Sequence, residues 1–317
     1  MAVTWHKHEG CGFVVLNNSP VNAINHDMRV GLISAVKWAE REGLERVILS
    51  GAGRGFAAGA DTKEFDHSAV APHLPDVINY IEASTVPWIA AIHGVALGGG
   101  GELSLGCRYR IAQADATIGF PEVILGLVPG AGATQRLPRL IGLTEALKLI
   151  PTGKTISGKT AMAIGLVDEI DDDPITAATL IDKKILVEVV PLNLMKVAAD
   201  KTVNYDTARQ TATRRMRGQE APLTAISLLE MAQTATFDEG MQKERTAFLA
   251  LRASSQARAL RHLFFAERAA KKPPKAIATQ KSNLKPLDHV VVIGGGTMGS
   301  GIAYAFLNTD IRVTILE

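Results

Sequence analysis

The 317-residue chain is 47% hydrophobic, enough for one large core or two smaller ones, and its length suggests about two domains. The charged fraction is 21% and the net charge only +2, which argues against a nucleic-acid binder with its basic face. Cys11 and Cys107 are the only cysteines, so neither a disulfide framework nor a zinc-binding pair is expected, which suits a reducing compartment.

The N-terminal Met1-Ala2-Val3-Thr4-Trp5 lacks a basic-then-apolar leader pattern, and nothing reaches the roughly 18 apolar residues of a membrane span. An intracellular protein without a membrane span is expected. Gly12 to Leu16 reads as a short strand and Ser19-Pro20-Val21-Asn22 as a turn. Asn25 is placed to cap a helix running to about Glu42, with Met28, Leu32, Val36 and Ala39 as its apolar stripe. Val47-Ile48-Leu49 and Trp88 to Ile92 are apolar runs that each lead into a glycine, as buried strands do. Strands alternating with helical segments predict an α/β fold.

After about Asp173 the texture changes. Residues 176–270 are rich in Ala, Leu, Arg and Lys and predict helices, broken at Pro191 and Pro222. Lys271-Lys272-Pro273-Pro274-Lys275 and the polar stretch to Pro286 mark a linker, and the basic run is a solvated surface.

The last segment is more specific. Val290 to Ile293 is a strand, and Gly294-Gly295-Gly296-Thr297-Met298-Gly299 fits G-x-G-x-x-G directly after it. A helical stretch from Ser300 to Asn308, a second strand at Arg312 to Leu316, and Glu317 follow. This is the context of a dinucleotide-binding turn: Gly294, Gly296 and Gly299 let a pyrophosphate approach, and Glu317 accepts from a ribose hydroxyl. One βα unit with a second strand has too small a core to stand alone, so residues 286–317 should be poorly ordered or docked on the rest. The segment reads as the start of a domain in a longer protein.

Two earlier regions carry the chemistry. One is Gly55-Phe56-Ala57-Ala58-Gly59-Ala60-Asp61; the other includes His93-Gly94-Val95-Ala96-Leu97-Gly98-Gly99-Gly100-Gly101-Glu102. Phe120-Pro121-Glu122 follows, and then Gly126 to Leu137. The four glycines lack the Lys-Ser/Thr of a phosphate loop. They either present free N–H groups to a developing oxyanion or pack a helix tightly on a sheet. Glu102 is either a dipole-stabilising exposed residue or half of an acid/base pair with Glu122. Spacing alone does not bring the two together.

These segments resemble the crotonase (enoyl-CoA hydratase/isomerase) superfamily over roughly residues 10 to 170, with Ser157 to Asp168 resembling that family's closing helix. The order of parts resembles the multifunctional fatty-acid β-oxidation enzymes, in which a 3-hydroxyacyl-CoA dehydrogenase half follows. The resemblance implies a crotonase fold, a spiral of ββα units, over residues 1–175. It implies a helical linker region over 176–272 that covers the acyl end of the site, a flexible linker over 273–287, and an incomplete NAD-binding Rossmann segment over 288–317. Glu102 matches the carboxylate that deprotonates water, and Glu122 the one that exchanges a proton with C2. Ala60 and Gly99 match the N–H groups of the oxyanion hole. Backbone around Ala23, Ala58 and Thr62 would hold the adenine end of coenzyme A.

The implied reaction is hydration of a trans-2-enoyl-CoA, with Δ3-Δ2-enoyl-CoA isomerisation as a second activity. It needs no added cofactor, coenzyme A being part of the substrate; NAD belongs to the full-length parent, and dehydrogenase activity is not expected of residues 1–317 alone. An acyl-CoA thioester is the expected partner, with no nucleic acid and no membrane, and an oligomer is compatible with the family. The setting is the cytoplasm of a bacterium or the peroxisome of a eukaryote. The competing readings are an isomerase-only crotonase and an inactive CoA- or nucleotide-binding fragment. His6 and His8 read as a solvated strand face rather than a metal site, and His93 as a turn support. No G-x-S-x-G elbow marks a serine hydrolase, and Asp171 to Asp173 read as an exposed loop.

Overall fold

The cap at Asn25 forms as its side chain predicts. Its Oδ1 accepts from the Met28 N–H at 3.0 Å, and helix α1 runs His26–Arg41 with Glu42 as its C-cap. Met28, Leu32, Val36 and Ala39 are all buried along one stripe. The structure, a computed structural model, describes residues 1–66, 70–200, 202–271 and 287–317.

A hairpin of β1 (Val3–His8) and β2 (Cys11–Leu16) opens a six-stranded sheet. β3 (Arg46–Gly51), β4 (Trp88–Ile92), β6 (Tyr109–Ala112) and β9 (Glu169–Ile170) extend it in parallel, in the order β1-β2-β3-β4-β6-β9. A second sheet holds β5 (Val95–Leu97), β7 (Thr117–Gly119) and β8 (Thr155–Ser157). The chain visits both sheets in turn. β4 in the large sheet leads to β5 in the small one and then helix α3 (Gly99–Leu105). β6 and β7 repeat the move before helix α4 (Ala133–Leu149). This is the expected spiral of ββα units.

β4 is buried along its whole length because both faces of the sheet are covered. The main core fills one face. On the other, Ile48, Ile89 and Ile111 pack against Ala177, Ala178 and Leu186, which come from α6 (Pro174–Leu180) and α7 (Lys183–Glu188). Helix α2 (Leu74–Ala83) packs on α1 and α3. α8 (Tyr205–Arg215), α9 (Ala221–Met231), α10 (Phe237–Ala253) and α11 (Ser255–Ala270) complete the helical region. α9 and α10 both pack on α4. Residues 1–264 form one compact unit and 265–317 a second.

Two local expectations differ from the structure. The helix expected over Ser157 to Asp168 is only α5, Gly158–Ala163, because Gly165 takes φ +79° and the chain turns back beside β6. There the Asp168 N–H donates to the Arg110 carbonyl at 2.9 Å. The break expected at Pro222 is present between α8 and α9, with the proline in the first turn of α9, where its missing N–H costs nothing. In the second unit the helix starts at Thr297, three residues before the expected Ser300, because Gly296 in extended conformation already serves as its cap. The linker expected over 273–287 lies outside the described residues apart from Leu287.

The second unit is small: β10 (His289–Ile293) and β11 (Arg312–Leu316) pair in parallel around helix α12 (Thr297–Leu307). Of residues 287–317, Val292 and Ala303 alone are buried. Among the described residues, no helix is long and apolar enough to cross a membrane.

One buried ion pair ties α4 to α2. The fully buried Arg136 donates to Glu82 Oε2 through Nη2 at 2.7 Å and Nε at 3.2 Å, and through Nη2 to Asn79 Oδ1 at 2.7 Å. Arg136→Met would strand the Glu82 carboxylate in the core, and should cost about 3–5 kcal/mol in urea unfolding. Replacing Glu82 with Leu in the same chain should recover a substantial part of that loss. A single variant as stable as the wild type would show that the pair contributes nothing.

Candidate active site

The turn from β5 into α3 sets the geometry. Gly98 takes φ +51°, a conformation that other residues rarely adopt. A methyl there would also lie 3.0 Å from Glu122 Oε1. The Gly98 N–H donates to Gly119 O at 2.8 Å, and the Glu102 N–H to Gly98 O at 2.9 Å. Both glutamates therefore converge on one turn, which their spacing in sequence did not establish.

A second loop is held against this turn. The buried Asn22 donates through Nδ2 to the carbonyls of Ala52 at 2.9 Å and Gly55 at 2.8 Å. Ala57 pairs with β5 along the same line: its N–H donates to Val95 O at 3.0 Å, and its carbonyl accepts the Leu97 N–H at 3.0 Å. Ala60 is thereby brought beside Gly99, so close that a Cβ on Gly99 would sit 3.2 Å from the Ala60 nitrogen. Neither of these two N–H groups donates to another described residue.

Glu102 is 3% exposed, and its Oε1 accepts the N–H of Ala131 at 2.8 Å and of Ala133 at 3.1 Å. Those donors belong to the turn that starts α4. Burial raises the Glu102 carboxyl above its ordinary range, and these two N–H groups work against the rise. Glu122 opens a short 3₁₀ turn, Pro121–Leu125. Burial first, and then the charge of Glu102, push its carboxyl well above the usual range. Its Oε2 is buried with no hydrogen-bond partner among the described residues. Glu102 thus accepts two N–H groups on one oxygen, while Glu122 keeps a buried oxygen without a partner and is pushed well above the usual range.

A third buried carboxyl stands nearby and went unremarked in the sequence. Glu244, on α10, is 0% exposed and accepts the N–H groups of Gly132 at 2.7 Å and Thr134 at 2.9 Å, and the Thr134 hydroxyl at 2.6 Å. Burial, followed by repulsion from Glu102, pushes it up to about 8. Its neighbours Lys243 and Arg245 make it look like one of a run of solvated charges, and no local pattern marks it.

The residues expected to meet coenzyme A lie on adjoining half-buried segments. The Ala23 carbonyl accepts from Asn18 Nδ2 at 2.6 Å and the Ala58 N–H donates to Val21 O at 3.0 Å, so these two groups already bind the loops together. Thr62 begins a 3₁₀ turn, Thr62–Asp66. In the second unit, a Cβ at Gly299 would meet Gly294 O at 1.7 Å, so glycine is required where α12 crosses the turn. The Gly294 N–H donates to Leu316 O at 2.7 Å, and Gly296 caps α12. A Cβ at Gly295 would lie 2.5 Å from Glu317 Oε2, so the acidic side chain lies beside the glycine turn.

The three histidines set aside have structural surroundings. His6 stacks on Phe13 with ring centroids 5.0 Å apart, and His8 lies 3.8 Å from Glu9. His93 reaches the Gly53 carbonyl at 3.2 Å. Among the described residues, no group of three His, Cys, Asp or Glu is placed to hold a metal ion.

The profile of the enoyl-CoA hydratase/isomerase family matches residues 6–249, and that of the 3-hydroxyacyl-CoA dehydrogenase NAD binding domain matches residues 289–317. The chain is 39% identical over 317 residues to the peroxisomal bifunctional enzyme of Cavia porcellus, covering 95% of this chain and 43% of that protein. It is 35% identical over 276 residues to the fatty acid oxidation complex subunit alpha of Shewanella baltica, covering 81% of this chain and 39% of that one. The chain thus spans less than half the length of these relatives. An enoyl-CoA hydratase/isomerase structure from Pseudoalteromonas atlantica shares the fold at a TM-score of 0.63 and 22% identity, over 84% of this chain and 98% of that one. With a family profile running through both sheets, both glutamates and most of the helical region, the chain belongs to the enoyl-CoA hydratase/isomerase family.

Proposed function

We propose that the chain adds water to trans-2-enoyl-CoA thioesters, giving 3-hydroxyacyl-CoA, as a step of fatty-acid β-oxidation. The observation that carries this reading is the unequal pair of buried carboxyls at Gly98. Glu102 is supplied with two backbone donors, while Glu122 has a buried oxygen without a partner.

The thioester oxygen sits between the N–H groups of Ala60 and Gly99. Charge that builds there is met by fixed donors, and such a donor is typically worth about 100- to 1,000-fold in rate. Glu102, ionised, takes a proton from water as its oxygen bonds to C3. Glu122, protonated, delivers its proton to C2. The double bond is consumed, and return of the water-derived proton from Glu102 to Glu122 restores both groups. Two like charges so close do not form together, which keeps the pair in its one-proton state.

The unpartnered, protonatable Glu122 supports isomerisation as a second activity, since moving a double bond from C3 to C2 needs only a proton carried between C4 and C2. In the second unit, the close glycine turn under α12 and Glu317 beside it fit a dinucleotide's pyrophosphate and ribose. NAD would supply hydride transfer when bound there; Gly294, Gly296, Gly299 and Glu317 would only hold it.

Loss of enoyl-thioester ultraviolet absorbance with a short trans-2-enoyl-CoA should follow addition of the purified protein, and should collapse in Glu122→Gln. A folded wild type without this activity would sink the assignment. Glu102→Gln should lower hydration far more than isomerisation of a 3-enoyl-CoA; equal losses would show that Glu102 serves both reactions. The pH profile of kcat/KM should be bell-shaped. It should fall in acid as Glu102 takes a proton, and in alkali as Glu122, held well above the carboxylate range, loses one. A profile with no alkaline fall would mean that Glu122 does not work in its protonated form.

A further inference from the structure

The turn that opens α4 shares its N–H groups between two carboxyls in strict alternation. Ala131 and Ala133 donate to Glu102, and Gly132 and Thr134 donate to Glu244. A helix start leaves such N–H groups without intrahelical partners, and here four consecutive ones are all taken by side chains from opposite sides. The Thr134 hydroxyl adds a third bond to Glu244.

The packing shows that this grip is tight. A Cβ on Gly130 would lie 2.6 Å from the Phe248 ring, and one on Gly132 would lie 3.0 Å from Met241 Sδ. Both neighbours sit on α10 with Glu244. On the same face, a Cβ on Gly240 would lie 2.0 Å from Gln135 Oε1. Glycine on both sides lets α10 come down onto the turn, and Glu244 is the polar contact at its centre. A turn whose alternate N–H groups are anchored from one side has little freedom to withdraw the intervening ones.

We infer that Glu244 is the positioning residue for Glu102: by holding Gly132 and Thr134 it fixes the N–H groups of Ala131 and Ala133 on the water-activating carboxylate. Glu244 touches neither water nor thioester in this role. It acts through the backbone of residues 131–134, and so makes the orientation of a base in the sheet-rich part of the unit depend on a helix from the helical region. The inference rests on the reading of Glu102 as the base of hydration.

The separating feature is that Glu122 shares none of these donors. A loosened turn therefore disturbs the step that needs Glu102 more than the proton exchange at Glu122, on which Glu244 acts through its charge alone, as the smallest of the causes that shift it. Glu244→Gln should lower kcat for hydration by up to about 100-fold, the scale of a roughly 1 Å misplacement. KM should stay unchanged, and isomerisation of a 3-enoyl-CoA should keep most of its rate, with the thioesters separated chromatographically. Thr134→Val, which removes one of the three bonds and keeps the side-chain shape, should move hydration in the same direction by less.

A Glu244→Gln enzyme that hydrates like the wild type overturns the inference, as does one in which hydration and isomerisation fall together. If that variant does not fold, Thr134→Val decides: unaltered hydration overturns the inference, and a selective loss supports it. If the wild type does not isomerise, the split decides, a fall in kcat at constant KM supporting the inference and a rise in KM at constant kcat overturning it. Glu102→Gln run alongside separates the two levels. If it still hydrates, the reading of Glu102 is wrong. If it is inactive while Glu244→Gln is normal, only the role of Glu244 falls.

Discussion

A carboxylate taken out of water must be given donors, and the whole site follows from where those donors are found. Glu102 finds them in the backbone that starts α4. That backbone can offer them because a helix start leaves its first N–H groups unused and because Gly132 at φ +111° turns the chain sharply into the helix. The β5-to-α3 turn, the Pro121–Leu125 turn and α10 are arranged around this one supply. Where it reaches, at Glu102 and Glu244, the N–H groups oppose the rise that burial imposes; at Glu122 one buried oxygen has no such partner.

In the reaction proposed for this site, acid and base are distinguished by surroundings and not by residue type. Two glutamates of the same intrinsic acidity share a buried corner, and two N–H groups at about 3 Å set Glu102 apart from Glu122, whose Oε2 has no partner among the described residues. Coulomb repulsion enlarges that difference once one of them is charged. The neighbouring N–H groups of Ala60 and Gly99, which donate to no other described residue, are the ones that would meet negative charge on the thioester in the proposed reaction.

Much of this was legible in the sequence, at different levels. The α1 cap and stripe were legible locally, because an Asn before a 3.6-residue apolar period has one favourable arrangement. The glycine-rich turns and both glutamates were legible as a family pattern, although nothing in their spacing placed them together. The length of α5 was misjudged because Gly165 and the pairing of residues 166–170 with β6 outweigh helical propensity. Glu82, Arg136 and Glu244 were invisible for a common reason. Their partners lie 54 to 112 residues away, and a charged residue on an amphipathic helix resembles a solvated one until its partner is known.

The position of Glu244 also changes what a domain boundary means in this chain. Composition shifts near residue 175, and a cut there would look natural to anyone subcloning the sheet-rich part. Such a piece would keep every residue matched to the chemistry. It would nonetheless leave Gly132 and Thr134 without their acceptor and uncover the close glycine contacts of the same turn. The unit that folds together runs to residue 264. The helices after residue 175 pack into the unit that holds both glutamates, so shuffling them between relatives would exchange the acceptor of the turn that starts α4 rather than a tether.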